Sequence, residues 1–532
     1  MFSIASQSVF KSLDEQGSGE VAVKDILSRL TDAGLASDDP RLSSLAESLT
    51  RGGQASDGMI DVEGFSEAVN SGQSLLERSL RGELVIPQFA DFAEHIQRLF
   101  EEARQNKAGE TASYIPQLAR VEPEQFAVAI CTIDGQRLKL GDFDSKFTFQ
   151  STCKPMLYCG ALEAMGEETV HRHVGREPSG LSFNELTLNK AGLPHNPMIN
   201  AGAIMCSSLW HPTLPMADRF ERFTDLIETL SGGIRPGFDN ATFHSEKETA
   251  DRNFALAHHM RERGAFPEDT DIFKTLDLFF SACSIEITVE RFATIAATFA
   301  NGGVCPSTGT RVFADSTVKN CLSLMGSCGL YDYSGEFAFR VGIPAKSGVS
   351  GAIFAVIPNV MGIAVWSPRL DSCGNSVRGV EFLTKLVETF NFHNYDSLVD
   401  SRKIDPRARR RTLEVNATFS AIHAASRGDI DELKRLVAYG HQLDRADYDG
   451  RTPLHLAAAE GHERAIRYLL AQGVAREPVD RWDNKPLDDA RQNGHEAIID
   501  LLEDSAAQGP EAANESRKAT QTPSGKPRRK AA

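Results

Sequence analysis

Three serines in this 532-residue chain stand three positions before a lysine, in the segments Ser8–Lys11, Ser151–Lys154 and Ser316–Lys319. A serine hydroxyl becomes a good nucleophile only when a base takes its proton, and a neutral lysine can be that base. A lysine is neutral near pH 7 when it is desolvated or lies beside another cation. The spacing therefore suggests a hydrolase site, but it does not say which serine carries it.

Sequence context favours Ser151 among the three. The alternating run Phe147–Phe149 before it is typical of an extended strand, and Pro155 stands where a first helical turn tolerates proline. A serine at a helix N-terminus lies beside free backbone N–H groups and the positive end of the helix dipole. Residues i and i+3 share a face of that turn, so the Lys154 amine can approach the Ser151 hydroxyl.

A second motif supports this interpretation. Lys346-Ser347-Gly348 stands directly before an apolar stretch, residues 352–366. Serine hydrolases of the β-lactamase and penicillin-binding group carry S-x-x-K on a helix and K-[ST]-G on a strand that faces it. Their third motif, Ser-Asp-Asn, is absent from this chain, which argues against a β-lactam substrate.

The elements that must hold these residues predict an α+β domain. Residues 126–142 are typical of a β-hairpin with Asp134-Gly135 in its turn, and residues 351–368 of two further antiparallel strands. Long segments with helical periodicity lie between the two strand regions. Helices inserted between early and late strands indicate one antiparallel sheet covered by helices.

Seven segments of this region carry a specific resemblance to a known family, the glutaminases, which have a β-lactamase-like fold and hydrolyse L-glutamine to L-glutamate and ammonia. With its flanking modules, the chain resembles the long, kidney-type members of that family over nearly all of its length. The matching segments are Tyr114–Ala119, Gln150–Pro155, Glu177–Asn184, Pro194–Ile204, Ser245–Ala255, Cys328–Phe339 and Pro344–Ile353.

The resemblance implies a role for residues that fall inside these motifs. Ser151 would attack the side-chain amide of glutamine to form an acyl-enzyme, and Lys154 would act as its base. Tyr331 would be a general acid/base partner that also contacts the substrate, and Tyr114 would complete the polar cluster around the amide. The backbone N–H groups of Ser151 and Val349 would form the oxyanion hole, which contributes several kcal/mol in hydrolases.

The resemblance also implies that Asn200, Glu246 and Asn253 hold the α-amino and α-carboxylate groups of glutamine. These residue types suit the task, because an ammonium group needs an acid and amides can satisfy a buried carboxylate. The residues alone leave other interpretations open. Asn200 could cap a helix, Glu246 and Asn253 could be solvated polar positions, and Tyr331 could be a packed aromatic.

Two departures from the family pattern concern the substrate and regulation. Phe279, which we retain among the substrate-binding positions, stands where the family has a tyrosine. The lost hydroxyl is expected to weaken binding or to be replaced by water. Glu185, Leu186 and Thr187 stand where the regulatory loop of the family has Lys, Leu and Phe, and His259 replaces a tyrosine at the same interface. Phosphate activation is therefore not expected to carry over unchanged.

The N-terminal segment resembles a pair of EF-hands that have lost calcium ligands. Asp14–Asp25 begins and ends with an acid, but its third position is not acidic and its last is aspartate instead of the longer glutamate. The second candidate loop, Gly53–Gly64, has glycine at both of these end positions. Calcium needs many oxygens around one point, so we expect a helical assembly module and no bound metal.

The C-terminal part repeats with a period of 33 residues, in the segments Phe419–Ala425, Thr452–Ala458 and Lys485–Arg491. The T-P-L-H-x-A pattern of the middle copy is the ankyrin signature. We predict three ankyrin repeats with atypical terminal copies. They would serve either as a docking surface for another protein or as an appendage that packs on its own chain.

These segments predict the division of the chain. The expected parts are an EF-hand-like module over 1–85, a connecting helix or linker over 86–112, a catalytic domain over 113–400, a basic linker over 401–417, the repeats over 418–505, and a tail over 506–532 whose composition predicts disorder.

Composition narrows the class of protein. A formal charge of −16 makes nucleic acid a poor candidate for the main partner. The nine cysteines include no C-x-x-C pair, which argues against a disulfide framework and a zinc cluster. No apolar run reaches the roughly 18 residues of a membrane span. We expect no cofactor and no membrane partner, and a cytoplasmic protein, or a mitochondrial one if an import sequence has been removed.

The function predicted from the sequence is a glutaminase with a Ser-Lys acyl-enzyme mechanism. The resemblance implies a homodimer or homotetramer formed through the catalytic domain. Two alternatives stay open, another serine amidase of the penicillin-binding type and an ankyrin scaffold with a catalytically weakened enzyme domain.

Overall fold

The computed structural model divides into two compact units, Met1–Arg407 and Ala408–Ala532. The residues described are 10, 13–14, 18–36, 39, 41–42, 58–69, 73–113, 115–180, 185–397, 403–408, 410–438 and 441–504. Tyr114, the tail over 506–532 and parts of the basic linker therefore lie outside the described residues. Within the described ranges, no helix is long and apolar enough to cross a membrane.

The first unit contains ten strands and sixteen helices among its described residues. The strands are β1 Glu20–Ala22, β2 Met59–Asp61, β3 Ala127–Thr132, β4 Arg137–Gly141, β5 Lys146–Thr148, β6 Gly237–Phe238, β7 Ile285–Thr288, β8 Ala345–Ser347, β9 Ala352–Ile357 and β10 Met361–Trp366. The helices are α1 Val23–Asp32, α2 Val62–Val69, α3 Gln73–Leu80, α4 Phe89–Arg104, α5 Pro116–Ala119, α6 Lys154–Met165, α7 Glu167–His171, α8 Asn200–Leu209, α9 Met216–Leu230, α10 Asn240–Glu248, α11 Asp251–Glu262, α12 Ile272–Cys283, α13 Val289–Ala300, α14 Asp315–Cys328, α15 Ser334–Arg340 and α16 Val377–Thr389.

A five-stranded antiparallel sheet in the order β4-β3-β10-β9-β8 forms the centre of this unit. Ile363 of the middle strand lies opposite Ile130 of β3 on one side and Ala355 of β9 on the other. Every residue of β3, β9 and β10 is buried, because helices cover both faces. The prediction of an antiparallel sheet with helices inserted between its strands is confirmed.

The two faces of the sheet belong to separate cores. Helix α13 covers one face so closely that a Cβ at Gly362 would lie 2.1 Å from the backbone nitrogen of Ala297. On the other face, Phe92 of α4 and Phe382 of α16 pack with alternate residues of the same strands. Only glycine permits this close approach of α13 to the middle strand of the sheet.

The N-terminal module holds the turn of the first hairpin. Strands β1 and β2 pair antiparallel, with Val21 opposite Ile60. The side-chain amide of Gln136 donates to the carbonyl oxygens of Ala33 and Ile86, at 2.8 and 2.9 Å. Beside it, Asp134 forms an ion pair with Arg78 at 2.7 Å.

Only parts of the two candidate calcium loops are described, because residues 15–17 and 53–57 lie outside the described residues. The Asp14 carboxylate accepts hydrogen bonds from the backbone N–H groups of Ser18 and Gly19, at 2.8 and 2.7 Å. Among the described residues, no group of three or more His, Cys, Asp or Glu side chains is placed to hold a metal ion. The absence of calcium stays a prediction.

A helical part, with the three-stranded sheet β5-β7-β6, adjoins the large sheet. Helix α6 packs against α8 and α14, and its residues from Lys154 to Leu162 are all buried. A helix without a polar face belongs in the interior. A lysine at the start of such a helix is therefore held out of water.

Among its described residues, the second unit has three pairs of helices, which confirms the three ankyrin repeats. Its helices are α17 Arg410–Ser426, α18 Ile430–Ala438, α19 Pro453–Ala459, α20 Glu463–Ala471, α21 Pro486–Gln492 and α22 Glu496–Asp504. The Nε2 atoms of His462 and His495 lie 2.9 and 3.0 Å from the carbonyl oxygens of Ser426 and Ala459. One contact is thus repeated at each junction between neighbouring helix pairs.

Candidate active site

Ser151 lies on a strained turn between a strand and a buried helix. A single-turn 3-10 helix, Gln150–Cys153, follows β5 and leads directly into α6. The backbone of Gln150 has a φ of 50°, a left-handed conformation that costs a non-glycine residue free energy. The strand, turn and helix around Ser151 match the context predicted from the sequence. Ser151 itself is partly exposed, as an accessible nucleophile must be.

Lys154 is fully buried one turn after Ser151. Its Nζ donates to the side-chain oxygen of Asn200 at 2.7 Å, and the Asn200 amide nitrogen donates to Asn253 at 3.0 Å. Burial lowers the pKa of Lys154 to about 8, although the negative charge of Glu246 opposes the shift. An amide oxygen accepts a hydrogen bond from the lysine without adding a negative charge, so Lys154 is held in place while its pKa stays low.

Asn200 therefore does more than begin a helix. It is the first residue of α8, and the N-cap position is occupied by Ile199. The interpretation of Asn200 as a simple helix cap is wrong. Its contact with Lys154 brings a third polar residue to the Ser151–Lys154 pair, although the chain has no Ser-Asp-Asn motif.

Glu246 is also buried, with 9% of its surface exposed, so the interpretation as a solvated residue is wrong. Burial raises its pKa to about 7, against the opposing effects of a hydrogen bond with Gln150 and the charge of Lys154. Asn253 on α11 is half-buried. A buried carboxyl next to two amides can receive a group that carries both an ammonium and a carboxylate.

Tyr331 approaches Ser151 from a second strained turn. Its backbone has a φ of 53°, and its hydroxyl donates to the carbonyl oxygen of Ser347 at 3.1 Å. Burial raises the pKa of Tyr331, and a hydrogen bond with Ser151 partly opposes the shift. The hydroxyl thus stays protonated at neutral pH, and the interpretation as a mere packed aromatic is wrong.

The Lys346-Ser347-Gly348 motif lies directly behind this tyrosine. Lys346 is fully buried, donates to the carbonyl oxygens of Gly329 and Ser347 at 3.0 and 2.7 Å, and lies 4.6 Å from the centre of the Tyr331 ring. Burial and the charge of Lys154 hold its pKa well below the usual range for lysine. Both lysines of the site are therefore buried amines whose pKa lies below the usual range.

Gly348 allows the strand to approach the nucleophile turn. A Cβ at Gly348 would lie 2.9 Å from the carbonyl oxygen of Phe149 and 3.0 Å from the Thr152 side chain. This close approach brings the Lys346-Ser347-Gly348 strand next to the turn that carries Ser151.

A cavity of about 210 Å³ brings most of the predicted substrate residues together. Its lining includes five of them, Ser151, Asn200, Glu246, Asn253 and Phe279. A second cavity, of about 450 Å³, is lined by Tyr331, while Val349 lines neither. The remaining lining of the first cavity is Gln150, Thr249, Ala250, Arg252 and Cys283.

Sequence reasoning missed some of these residues. Gln150 directly precedes the candidate nucleophile inside the segment Gln150–Pro155, and this position is a signal that could have identified Gln150. Lys346 was used to recognise the fold but was not assigned to the site. Arg252 and Cys283 carry no local signal, because only packing of α11 and α12 brings them to the cavity.

The residues that depart from the family pattern lie in different surroundings. Phe279 is 3% exposed and lines the cavity that also contains Ser151. Glu185 and Leu186 are exposed, the latter by 49%. His259 is partly exposed, and its Nδ1 lies 3.4 Å from a Glu262 carboxylate oxygen.

Comparison with known proteins agrees with the geometry. The family model for glutaminase matches residues 109–395, the model for ankyrin repeats in three copies matches 421–511, and an EF-hand domain model matches 5–87. The mitochondrial liver isoform of mouse glutaminase is 44% identical and is aligned over 92% of this chain and 82% of its own length. A glutaminase from Nostoc is 43% identical over 55% of this chain and 86% of its own.

Solved structures lead to the same family. A probable glutaminase from Bacillus subtilis in complex with 6-diazo-5-oxo-L-norleucine is 32% identical, with a TM-score of 0.53, and the match covers 57% of this chain and 97% of that one. The family match over more than half of the chain and the relatives aligned over most of their length agree with the site of Ser151 and the buried Lys154, and they establish that this chain belongs to the glutaminase family of hydrolases.

Proposed function

We propose that this glutaminase hydrolyses L-glutamine through an acyl-enzyme, with Ser151 as nucleophile and Lys154 as its base. The observation that carries the proposal is the buried Lys154 amine, which donates to a neutral amide oxygen and has a pKa of about 8. A general base works best when its pKa lies near the operating pH. Lys154 can therefore take the Ser151 proton at mildly alkaline pH.

The groups around Ser151 suit the remaining steps. The backbone N–H groups of Ser151 and Val349 would stabilise the oxyanion that forms when the amide carbonyl is attacked. Tyr331 keeps its proton, because burial raises its pKa, and would pass that proton to the leaving ammonia. The Lys154 ammonium would pass the serine proton to the Tyr331 phenolate, which restores both groups. A water molecule would then attack the acyl ester with Lys154 again acting as base, and Lys154 would return that proton to Ser151 as glutamate leaves.

The polar end of the cavity suits the α-groups of an amino acid. Glu246 would pair with the α-ammonium, and the amides of Asn200 and Asn253 would face the α-carboxylate. The nearby ammonium would favour the ionised form of Glu246, whose pKa is about 7 without ligand. The distance between these residues and Ser151 would then select a side chain of the length of glutamine.

The test is ammonia release by the full chain from glutamine and from asparagine, with Ser151→Ala beside the wild type. We expect turnover of glutamine, much less of asparagine, and a fall of roughly 10³-fold or more in Ser151→Ala. Equal rates for the variant and the wild type would contradict the mechanism. Faster hydrolysis of asparagine would contradict the proposed substrate.

Two further parts of the proposal concern location and assembly. The mouse and rat relatives are named as mitochondrial, which favours the mitochondrial over the cytoplasmic alternative. Recovery of the native protein in the cytosolic fraction alone would contradict the mitochondrial location.

We also infer a homodimer or homotetramer through the first unit, with the ankyrin repeats free for another protein. Mass measurement in solution, with and without phosphate, tests the assembly.

A further inference from the structure

Two cysteine thiols lie in contact directly beside the proposed nucleophile. Cys153 stands between Ser151 and Lys154 at the end of the 3-10 turn, and Cys283 is the last residue of α12. Both side chains are buried, and their sulfur atoms are 3.8 Å apart. The two residues are 130 positions apart in the chain, so only the tertiary structure makes them a pair.

A small oxidant can reach this pair through the substrate cavity. Cys283 lines the cavity of about 210 Å³ that also contains Ser151. A peroxide is much smaller than a glutamine side chain and can enter the same space. The second pair of thiols in contact, Cys159 and Cys321, lies between α6 and α14 and lines no part of this cavity.

We propose that Cys153 and Cys283 form a redox modification site, at which a peroxide converts the two thiols to a disulfide and switches the enzyme off. Cys283 loses its proton, and its thiolate attacks one peroxide oxygen, which breaks the O–O bond and yields a sulfenic acid and a hydroxide that takes up the released proton to become water. The Cys153 sulfur then attacks the sulfenic sulfur and expels a second water. Two thiols and one hydrogen peroxide thus give one disulfide and two waters.

The disulfide inactivates the enzyme because it displaces the turn that carries the nucleophile. A disulfide requires a sulfur–sulfur distance of about 2.05 Å, much shorter than the present 3.8 Å. Cys153 is joined directly to Lys154 and is two residues from Ser151. A displacement of about 1 Å in a catalytic group can cost roughly 10²-fold in rate. The effect on activity rests on the proposed role of Ser151, whereas the formation of the disulfide does not depend on that role.

The surroundings of the pair predict how oxidation depends on pH. Cys283 faces Cys153, Lys154 and Glu246, and its charge also acts on Tyr331. The hydrogen bond with Cys153 and burial raise the pKa of Cys283, so it is a thiol at neutral pH. The thiolate is the species that reacts with peroxide. Oxidation should therefore be slow near pH 7 and become faster as the pH rises.

The experiment treats the full chain with hydrogen peroxide, removes the excess with catalase, and measures ammonia release before and after addition of dithiothreitol. We expect the wild type to lose activity by at least about tenfold and to recover it on reduction. The activity of Cys153→Ala after peroxide, compared with its own untreated rate, should fall by less than about twofold. Cys321→Ala, which disrupts the other pair of thiols, should respond as the wild type does.

Peptide mapping under non-reducing conditions identifies the bond independently of activity. A linked peptide containing Cys153 and Cys283 should form in the wild type and also in the Ser151→Ala variant. A linked peptide together with unchanged activity would overturn the switch. Inactivation without this peptide, or inactivation of Cys153→Ala equal to that of the wild type, would overturn the site.

Discussion

The proposed catalytic centre and the ankyrin repeats differ in how their buried polar groups affect the stability of the fold. The centre contains two fully buried lysines, Lys154 and Lys346, and two residues with left-handed backbone, Gln150 and Tyr331. In the repeats, the one buried histidine of the middle copy, His455, accepts from the Thr452 backbone N–H at 3.1 Å and lies 3.2 Å from the Asn484 carbonyl oxygen.

This difference follows from what each region does. Buried lysines and turns with left-handed backbone lower the stability of the fold. They persist where the chemistry needs a lysine of low pKa and a serine held on a sharp turn. The repeats need only a regular stack, so their polar groups close local turns and bridge neighbouring copies. Substitutions in the two regions should therefore change activity and stability in different combinations.

Lys154→Met should have the largest effect of the substitutions that separate the two regions. Ammonia release should fall by roughly 10³-fold or more, because the base is lost. The melting temperature should rise, because an apolar side chain replaces a buried ammonium. If Lys154→Met lost both activity and thermal stability, the proposed difference between the centre and the repeats would be contradicted.

The stability gain of Lys154→Met should itself depend on pH. Burial lowers the pKa of Lys154 to about 8 from its usual 10.5, so between these values the unfolded state binds more protons. The wild type therefore gains stability as the pH rises from 8 to 10.5, and the advantage of the variant should shrink. Thermal melts at several pH values check the sign.

The activity of the wild type should rise steeply from about pH 6 to pH 8. The proposed mechanism needs a neutral Lys154, with a pKa of about 8, and an ionised Glu246, with a pKa of about 7, in the free enzyme. Protonation of either group removes activity, so the fall in kcat/KM should approach about tenfold per pH unit between pH 8 and pH 7, and about a hundredfold per pH unit below pH 7, where both groups become protonated. A flat profile over this range would show that neither group titrates as the catalytic centre requires.

Asn200→Asp should shift that profile and lower the rate by roughly 10- to 100-fold at pH 7.5. A carboxylate in place of the amide oxygen, 2.7 Å from the Lys154 amine, would stabilise the ammonium and raise its pKa. The rising limb of kcat should move to higher pH, with partial recovery of activity there. Asn253→Asp, one residue further from the lysine, is the matched control and should shift the limb less.

His455→Ala should have the smallest effect on catalysis and a moderate one on the repeats. Loss of its contacts with Thr452 and Asn484 should cost about 1–3 kcal/mol in the unfolding of the second unit. Asp488→Ala removes the equivalent contact, from the Lys485 N–H at 2.9 Å, at a more exposed position and should cost less. Ammonia release should stay the same in both, and a parallel fall would contradict the separation of the two regions.

Predictions from local pattern succeeded where the structure is local. The three repeats, the two hairpins and the strand–turn–helix around Ser151 depend on neighbours in the sequence, so spacing and residue type identify them. The proposed roles of Asn200 and Glu246 came only from the family resemblance. From the sequence alone, Asn200 also fits a helix cap and Glu246 a solvated polar position. The contact of Asn200 with Lys154 and the burial of Glu246 exclude these interpretations.

The sequence by itself determined the candidate nucleophile, its lysine and the order of the modules, since each rests on residues a few positions apart or on a fixed period. Only the tertiary structure decided that Asn200 holds Lys154, that Lys346 lies against the Tyr331 ring, and that Cys153 meets Cys283. These contacts join elements far apart in the chain. Burial, which lowers the pKa of Lys154 and raises that of Glu246, is a property of the packed core and has no local sequence signal.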